Sequence, residues 1–193
     1  MMFYKETKNI LTKEELATVN NGILGNDFPW YYQKLSTTEK FPFFSHGLIQ
    51  RYDHIKNEPI SNSDVLPFFM EIFKRFCAQH KIKVKKITRG CMNLIVHRGE
   101  GYENTDPHVD HEFNHKVFMI YLNDAEGDTK IFKETYKKSY KGNCVKDINN
   151  KYQVLKIIKP EQGKAVCWDG KYYHAASFPK PGTRRIVVVF TFI

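Results

Sequence analysis

The segment RRIVVVFTFI, residues 184 to 193, constrains the fold more than any other stretch of this 193-residue chain. Its β-branched and aromatic residues favour a strand. Side chains alternate across a strand, so this one is apolar on both faces. It has to be covered by a layer on each side. The N-terminal half offers helices as one of those layers. Thr12 followed by Glu15 forms a capping box for a short helix ending near Asn20 to Gly22. Ser63 is placed to cap a longer helix running through His80, in which Leu66, Phe69, Phe73 and Phe76 recur at helical spacing and Pro67 is tolerated in the first turn. Such a stripe is core.

After Lys81 the chain becomes a series of short β-branched and aromatic runs: Lys86 to His97, Lys116 to Asn123, Thr129 to Phe132, Tyr152 to Ile158, Ala165 to Trp168 and Arg184 to Ile193. Short strands separated by turn signals indicate a sandwich or barrel. The expectation is one domain over 1–193, mainly β with flanking helices (α+β), in which 1–85 is a helix-rich support and 86–193 the β core. Between the two helices lies an aromatic stretch with Phe28, Trp30, Tyr31, Tyr32, Phe41, Phe43 and Phe44. Packing is its commoner use, and a lid over a pocket is the alternative.

Thirty Lys and Arg against 21 Asp and Glu give a net charge of +9. A basic chain can attract nucleic acid, but these lysines are scattered and their densest patches, Lys81 to Arg89 and Lys133 to Lys141, are short. A solvated surface is the favoured reading over a nucleic-acid groove. Cys77, Cys91, Cys144 and Cys167 lie far apart with no C-x-x-C pair, which fits free, mostly buried thiols. Nothing resembles a cleavable signal or an apolar run of roughly 20 residues, so the expectation is a soluble, cytoplasmic protein without membrane contact.

The stretch DPHVDHEFNH carries the chemistry, and two incompatible readings apply to it. In extended backbone His108 and Asp110, at i and i+2, project to one side and can share a metal ion; Asp106-Pro107 before them favours extended or turn backbone. A third ligand comes from WDGKYYHAASFPKPGTRR as His174. Two histidines and one carboxylate leave open positions on an octahedral ion, the arrangement of non-haem iron(II) oxygenases. Gly182-Thr183-Arg184 then puts a forked, permanent cation at the start of the last strand, where it can clamp a carboxylate.

HVD, then YLND with GDT, then CWDG with His174, then GTR before an apolar strand resembles the C-terminal core of the 2-oxoglutarate/iron(II) dioxygenase superfamily, in particular its prolyl-4-hydroxylase-like branch. The resemblance covers about residues 86 to 193. It implies a double-stranded β-helix, or jelly roll, in which His108, Asp110 and His174 hold Fe(II) and 2-oxoglutarate is the co-substrate. Arg184 would receive the 5-carboxylate, with Tyr121 near it and Thr129 on the pocket wall. Alternation alone does not choose between Arg184 and Arg185, and the resemblance decides for Arg184. It further implies dioxygen as reactant, ascorbate as a supporting reductant, and hydroxylation of a C–H bond with release of succinate and carbon dioxide. A prolyl or other amino-acid side chain of a peptide is favoured as primary substrate over a small metabolite or a nucleobase. Many relatives carry a tyrosine upstream of the HxD pair, where this chain offers His97. The nucleic-acid demethylases of the superfamily tend to have a second arginine six residues after the first, where this chain has Phe190.

The second reading takes His111-Glu112-Phe113-Asn114-His115 as the H-E-x-x-H motif of zinc proteases. That chemistry requires a helix, since only there do i and i+4 share a face, and the flanking residues favour strand. A third class, a β-helix that binds protein or nucleic acid without turnover, sits poorly with an intact triad and Arg184. His46, His54 and His80 read as ordinary surface or core residues, and His111 and His115 as near the metal only through chain proximity.

Overall fold

In a computed structural model of the chain, residues 2–34, 42–51, 60–101, 103–137 and 152–193 are described. The elements are β1 (Tyr4–Thr7), α1 (Lys13–Thr18), a π-helical turn (Val19–Ile23), β2 (Tyr31–Gln33), β3 (Phe43–Ile49), α2 (Leu66–Gln79), β4 (Ile87–Val96), β5 (Lys116–Tyr121), β6 (Thr129–Thr135), β7 (Val154–Ile158), β8 (Ala165–Asp169), β9 (Tyr172–Ala176) and β10 (Arg184–Phe192). Among the described residues ten strands form two sheets, a seven-stranded one in the order β1-β8-β5-β10-β4-β3-β2 and a three-stranded one in the order β7-β6-β9. The fold is mainly β with flanking helices around a jelly-roll core, as the strand pattern indicates.

The two-sided apolar strand sits at the centre of the large sheet. β10 pairs with β4 on one side and β5 on the other, both antiparallel. Its even-numbered face, Ile186, Val188, Phe190 and Phe192, packs with Phe69, Ile72, Phe73 and Phe76 of α2 in one buried cluster. The Phe73 ring lies 5.1 to 5.3 Å from those of Phe118, Phe190 and Phe192. Phe190 passes so closely over β4 that a Cβ on Gly90 would stand 2.7 Å from its Cε1, which explains a glycine inside a central strand. On the odd-numbered face Val187 and Val189 join Cys91, Val117, Met119, Tyr121, Val166 and Trp168 between the two sheets.

The Thr12/Glu15 capping box is present in full. α2 starts later than Ser63 would place it: its N-cap is Val65, without a side-chain cap, and Pro67 lies in the first turn. The Ser63 hydroxyl instead meets Nε2 of His46 at 2.6 Å. The first 85 residues contribute β1, β2 and β3 to the large sheet beside their helices. Much of the aromatic stretch packs as expected, with Phe28, Trp30 and Phe44 against the α2 cluster. Cys77, Cys91 and Cys167 are free and buried, and Cys144 and His54 lie outside the described residues. His46 and His80 have local partners, the Pro29 carbonyl and the Thr7 hydroxyl. Among the described residues no helix is long and apolar enough to cross a membrane.

Candidate metal and co-substrate site

A cavity of about 720 Å³ opens between the sheets. The period of two that places its walls also builds its centre. His108 forms an isolated antiparallel bridge with His174 of β9, closed by reciprocal backbone hydrogen bonds of 3.0 and 2.9 Å. Val109, between His108 and Asp110, turns the other way into a small apolar cluster with Phe132, Tyr173 and Ala175. The two imidazoles and the Asp110 carboxylate therefore face the cavity together, their candidate ligand atoms within 4.8 Å of one another.

Two of the three candidate ligands are oriented by hydrogen-bonded neighbours. Nδ1 of His108 donates to the Asp106 carbonyl at 3.0 Å, which leaves Nε2 for an ion. Arg89 of β4 donates from Nη1 to Oδ1 of Asp110 at 3.0 Å. The other oxygen, Oδ2, is buried without a hydrogen-bond partner and stands 3.6 Å from Nε2 of His174. Arg51 donates to the Asp110 backbone carbonyl at 3.1 Å. Burial alone would raise the Asp110 carboxyl, but His174, Arg89 and His108 together hold it well below the usual carboxylate range. Burial, helped by the nearby His108, pushes His174 down from 6.5 to about 3. His108 is likewise lowered, chiefly by burial, with Asp110 opposing. An anionic carboxylate and two neutral imidazoles are the protonation states that a divalent metal needs. The orphaned Oδ2 is the kind of atom that an ion at this point would satisfy.

A second polar cluster stands at the other end of β10. Arg185 is 2% exposed. Its Nη2 donates to Oγ1 of Thr129 at 2.6 Å, and its guanidinium lies 5.3 Å from the centre of the Tyr121 ring. The Tyr121 hydroxyl also donates to Oγ1 of Thr129, at 2.7 Å. Thr129 and Arg185 line the cavity, with Tyr121 fully buried behind them. Nε of Arg185 is buried without an acceptor, and no carboxylate pairs with this cation among the described residues.

Arg184 is on the opposite face. Its Nη2 donates to the Leu24 carbonyl, away from the cavity, so the side chain expected to clamp a carboxylate points elsewhere, and Arg185 is the arginine of the pair that lines the cavity. The physical reason is strand alternation: residues 185, 187 and 189 face the space between the sheets, and 184 does not. His97 is engaged with the Pro179 carbonyl at 3.1 Å, and Ile95 lines the cavity in its neighbourhood instead.

The residues of the H-E-x-x-H motif are not helical. The backbone over 111–115 is bend and loop, with Nε2 of His111 on the Thr191 hydroxyl at 2.8 Å and Nδ1 of His115 on the Phe113 carbonyl at 2.8 Å. The His115 ring fills the space above Gly170, where a Cβ would come within 2.1 Å of Nε2. The helical zinc-protease arrangement is absent.

Arg51, Arg89 and Asn93 were not singled out from the sequence. A signal was present: Arg89 and Asn93 share parity in an otherwise apolar strand, so one face of β4 is polar. Oδ1 of Asn93 is buried and unpartnered in the cavity wall.

No protein-family model and no curated protein sequence matches the chain. Solved structures do match its fold. A 2OG-Fe(II) oxygenase family oxidoreductase from Burkholderia pseudomallei aligns over 99% of this chain and 84% of its own, with a TM-score of 0.65 at 12% identity. The non-heme alpha ketoglutarate dependent carbocyclase SnoK of nogalamycin biosynthesis aligns over 99% and 79%, with a TM-score of 0.67 at 9% identity. A Pseudomonas putida prolyl-4-hydroxylase aligns over 100% and 93%, with a TM-score of 0.55 at 9% identity. The shared fold spans enzymes of different outcome and does not single out the prolyl-hydroxylase branch.

Proposed function

We propose that this chain is an iron(II)- and 2-oxoglutarate-dependent oxygenase in which His108, Asp110 and His174 hold the metal and Arg185 holds the far carboxylate of the co-substrate. The observation that carries the reading is Arg185: a buried cation facing a cavity, bonded to a hydroxyl and, among the described residues, to no carboxylate, across the same cavity from a His-Asp-His group. A buried charge without a counter-charge costs several kcal/mol. A dicarboxylate ligand that reaches both Arg185 and the metal group would relieve that cost. A neighbour in fold, the epimerase SnoN, is described in complex with Fe3+ and alpha ketoglutarate.

The chain's own residues divide the work. Arg89 holds Oδ1 of Asp110 and thereby turns Oδ2 toward the metal position. The Asp106 carbonyl fixes the His108 tautomer. The Thr129 hydroxyl accepts from both Tyr121 and Arg185, so its own proton is left to donate to a carboxylate oxygen beside Arg185. The apolar wall of Val117, Met119, Trp168, Val187 and Val189 keeps water from the reacting groups. Iron(II), 2-oxoglutarate and dioxygen would together supply the oxidant for a substrate C–H bond, leaving succinate and carbon dioxide.

Hydroxylation is the outcome we place first, with a prolyl or other amino-acid side chain as substrate, on the order of the motifs and the prolyl hydroxylases among the neighbours in fold. Succinate formation from 2-oxoglutarate by protein freshly loaded with iron(II), with ascorbate, tests the reaction class. Wild type is expected to form succinate and His174→Ala none. Equal rates from the two proteins would remove the metal assignment.

A further inference from the structure

The cavity is wider than one co-substrate needs. Its volume of about 720 Å³ is that of a site for a drug-sized ligand, and a five-carbon diacid fills only part of it. The co-substrate proposed above runs between Arg185 of β10 and the Asp110 group that Arg89 of β4 holds, so it occupies the floor over β10 and β4. The sheet continues past β4 to β3 and then β2, each about 4.8 Å further across. Over these two strands Gln33, Phe43, Ser45, Gly47 and Ile49 form the wall. Among the described residues no ionisable side chain of β2 or β3 lines the cavity.

Gly47 is a glycine that the protein's own packing does not require. It is not among the glycines with positive φ, and a Cβ added to it would meet only Nδ2 of Asn62, at 3.8 Å. Gly90 differs, because Phe190 presses on it. A strand loses stability at a glycine, and a strand glycine that no side chain crowds suits close approach of a ligand to the backbone. Two residues along β3, Ser45 stands directly opposite Asn93 of β4, and such paired Cβ atoms lie about 5 Å apart on one face. Oδ1 of Asn93 is buried without a hydrogen-bond partner. The last torsion of an asparagine is soft, so a turn of the carboxamide brings this oxygen toward the cavity that the residue lines. An acceptor in need of a donor, beside a hydroxyl that can donate, is the complement of an amide with its one N–H and one C=O.

We propose that the primary substrate lies across Gly47 and is held there by an uncharged amide, its N–H on Asn93 and its C=O on Ser45. This rests on the oxygenase reading and deepens it, since it seats the substrate over β3, beside the co-substrate, and has the site recognise a peptide bond. The β3 floor brings no charge of its own that would favour an acid or a base.

The test uses three capped forms of one residue: acetylproline N-methylamide, its methyl ester, in which oxygen replaces the N–H, and acetylproline, the free acid. Binding is read by saturation-transfer NMR on metal-free protein, and by paramagnetic line broadening on protein loaded with manganese(II) and 2-oxoglutarate. Wild type is expected to bind the amide about tenfold more tightly than the ester or the acid, with the amide's resonances broadened by manganese. Gly47→Val puts a branched side chain on the seat and should weaken the amide tenfold or more in protein that still takes up manganese and 2-oxoglutarate. Asn93→Leu should bind amide and ester equally, which keeps the proposal testable if Gly47→Val does not fold. No binding of the amide by wild type, equal binding of amide and ester, or tighter binding of the acid would overturn the proposal. So would an amide that manganese leaves sharp, or a folded Gly47→Val or Asn93→Leu protein that binds the three probes as wild type does. Failure of wild type to take up manganese and 2-oxoglutarate would overturn the function proposed above, and the amide preference of the metal-free protein would still decide the seat.

Discussion

The two faces of β10 are both buried, yet they differ in how far their polar atoms are satisfied. The even-numbered face against α2 is an apolar contact of Ile186, Val188, Phe190 and Phe192 with phenylalanines. The odd-numbered face begins with Arg185 and ends with Thr191, and the residues lining its cavity include the buried, unpartnered Nε of Arg185, Oδ1 of Asn93 and Oδ2 of Asp110. Hydrophobic contact accounts for the first face completely. The second carries polar groups that stability alone gives no reason to bury, and it is the one that the proposed ligands would complete.

Substitutions on the two faces should separate stability from function. The largest effect is expected of Asp110→Ala, which removes the anionic member of the proposed metal group. Iron affinity should fall by more than the roughly 100-fold typical of losing a supporting neighbour, and succinate formation should vanish while the far-UV spectrum is kept. On the opposite face, Phe73→Ala should cost about 3–5 kcal/mol in urea unfolding with the Michaelis constant for 2-oxoglutarate unchanged; a raised constant would mean that the two faces are coupled. Arg185→Leu should weaken 2-oxoglutarate by about 2–5 kcal/mol without lowering the stability of the ligand-free protein, because an unpaired buried charge is removed. Arg184→Leu should leave the co-substrate requirement alone, and the reverse result would return the carboxylate clamp to that residue. The smallest effect concerns pH. His174 is held at about 3, below its ordinary 6.5, so the unfolded chain takes up the proton first. Its contribution is full above 6.5 and is lost as pH falls toward 3, by about 2 kcal/mol between pH 6.5 and 5 for this one group. Metal-free wild type should lose stability over that interval, and His174→Phe should show a flatter slope.

The convergence of His108, Asp110 and His174 was legible in the sequence because its spacing follows from strand geometry: His108 and Asp110 at i and i+2, and a single histidine in the segment that returns to them. The helical cover was legible from Leu66, Phe69, Phe73 and Phe76. The choice between Arg184 and Arg185 was harder, since an apolar run on both faces does not reveal which one meets a cavity. Thr191 held the clue, sharing parity with Arg185 while both phenylalanines fall on the other side. The strands β1, β2 and β3 were missed because β1 and β2 are short and lie at the two edges of the large sheet, and β3 is rich in aromatic residues that read as packing. Ser63 was misread as a helix cap because its hydroxyl serves a distant histidine, a contact with no local signature.

The bridge that joins His108 to His174 through two main-chain hydrogen bonds has a kinetic meaning. The candidate donor atoms are brought together when the strands zip, so the ordering entropy of the centre is spent during folding and little would remain to be lost on binding the proposed ion. Loading should then resemble entry into a finished socket. Amide exchange at His108 and His174 should already be slow before any ion is added, and uptake should proceed at a rate set by the ion shedding its water.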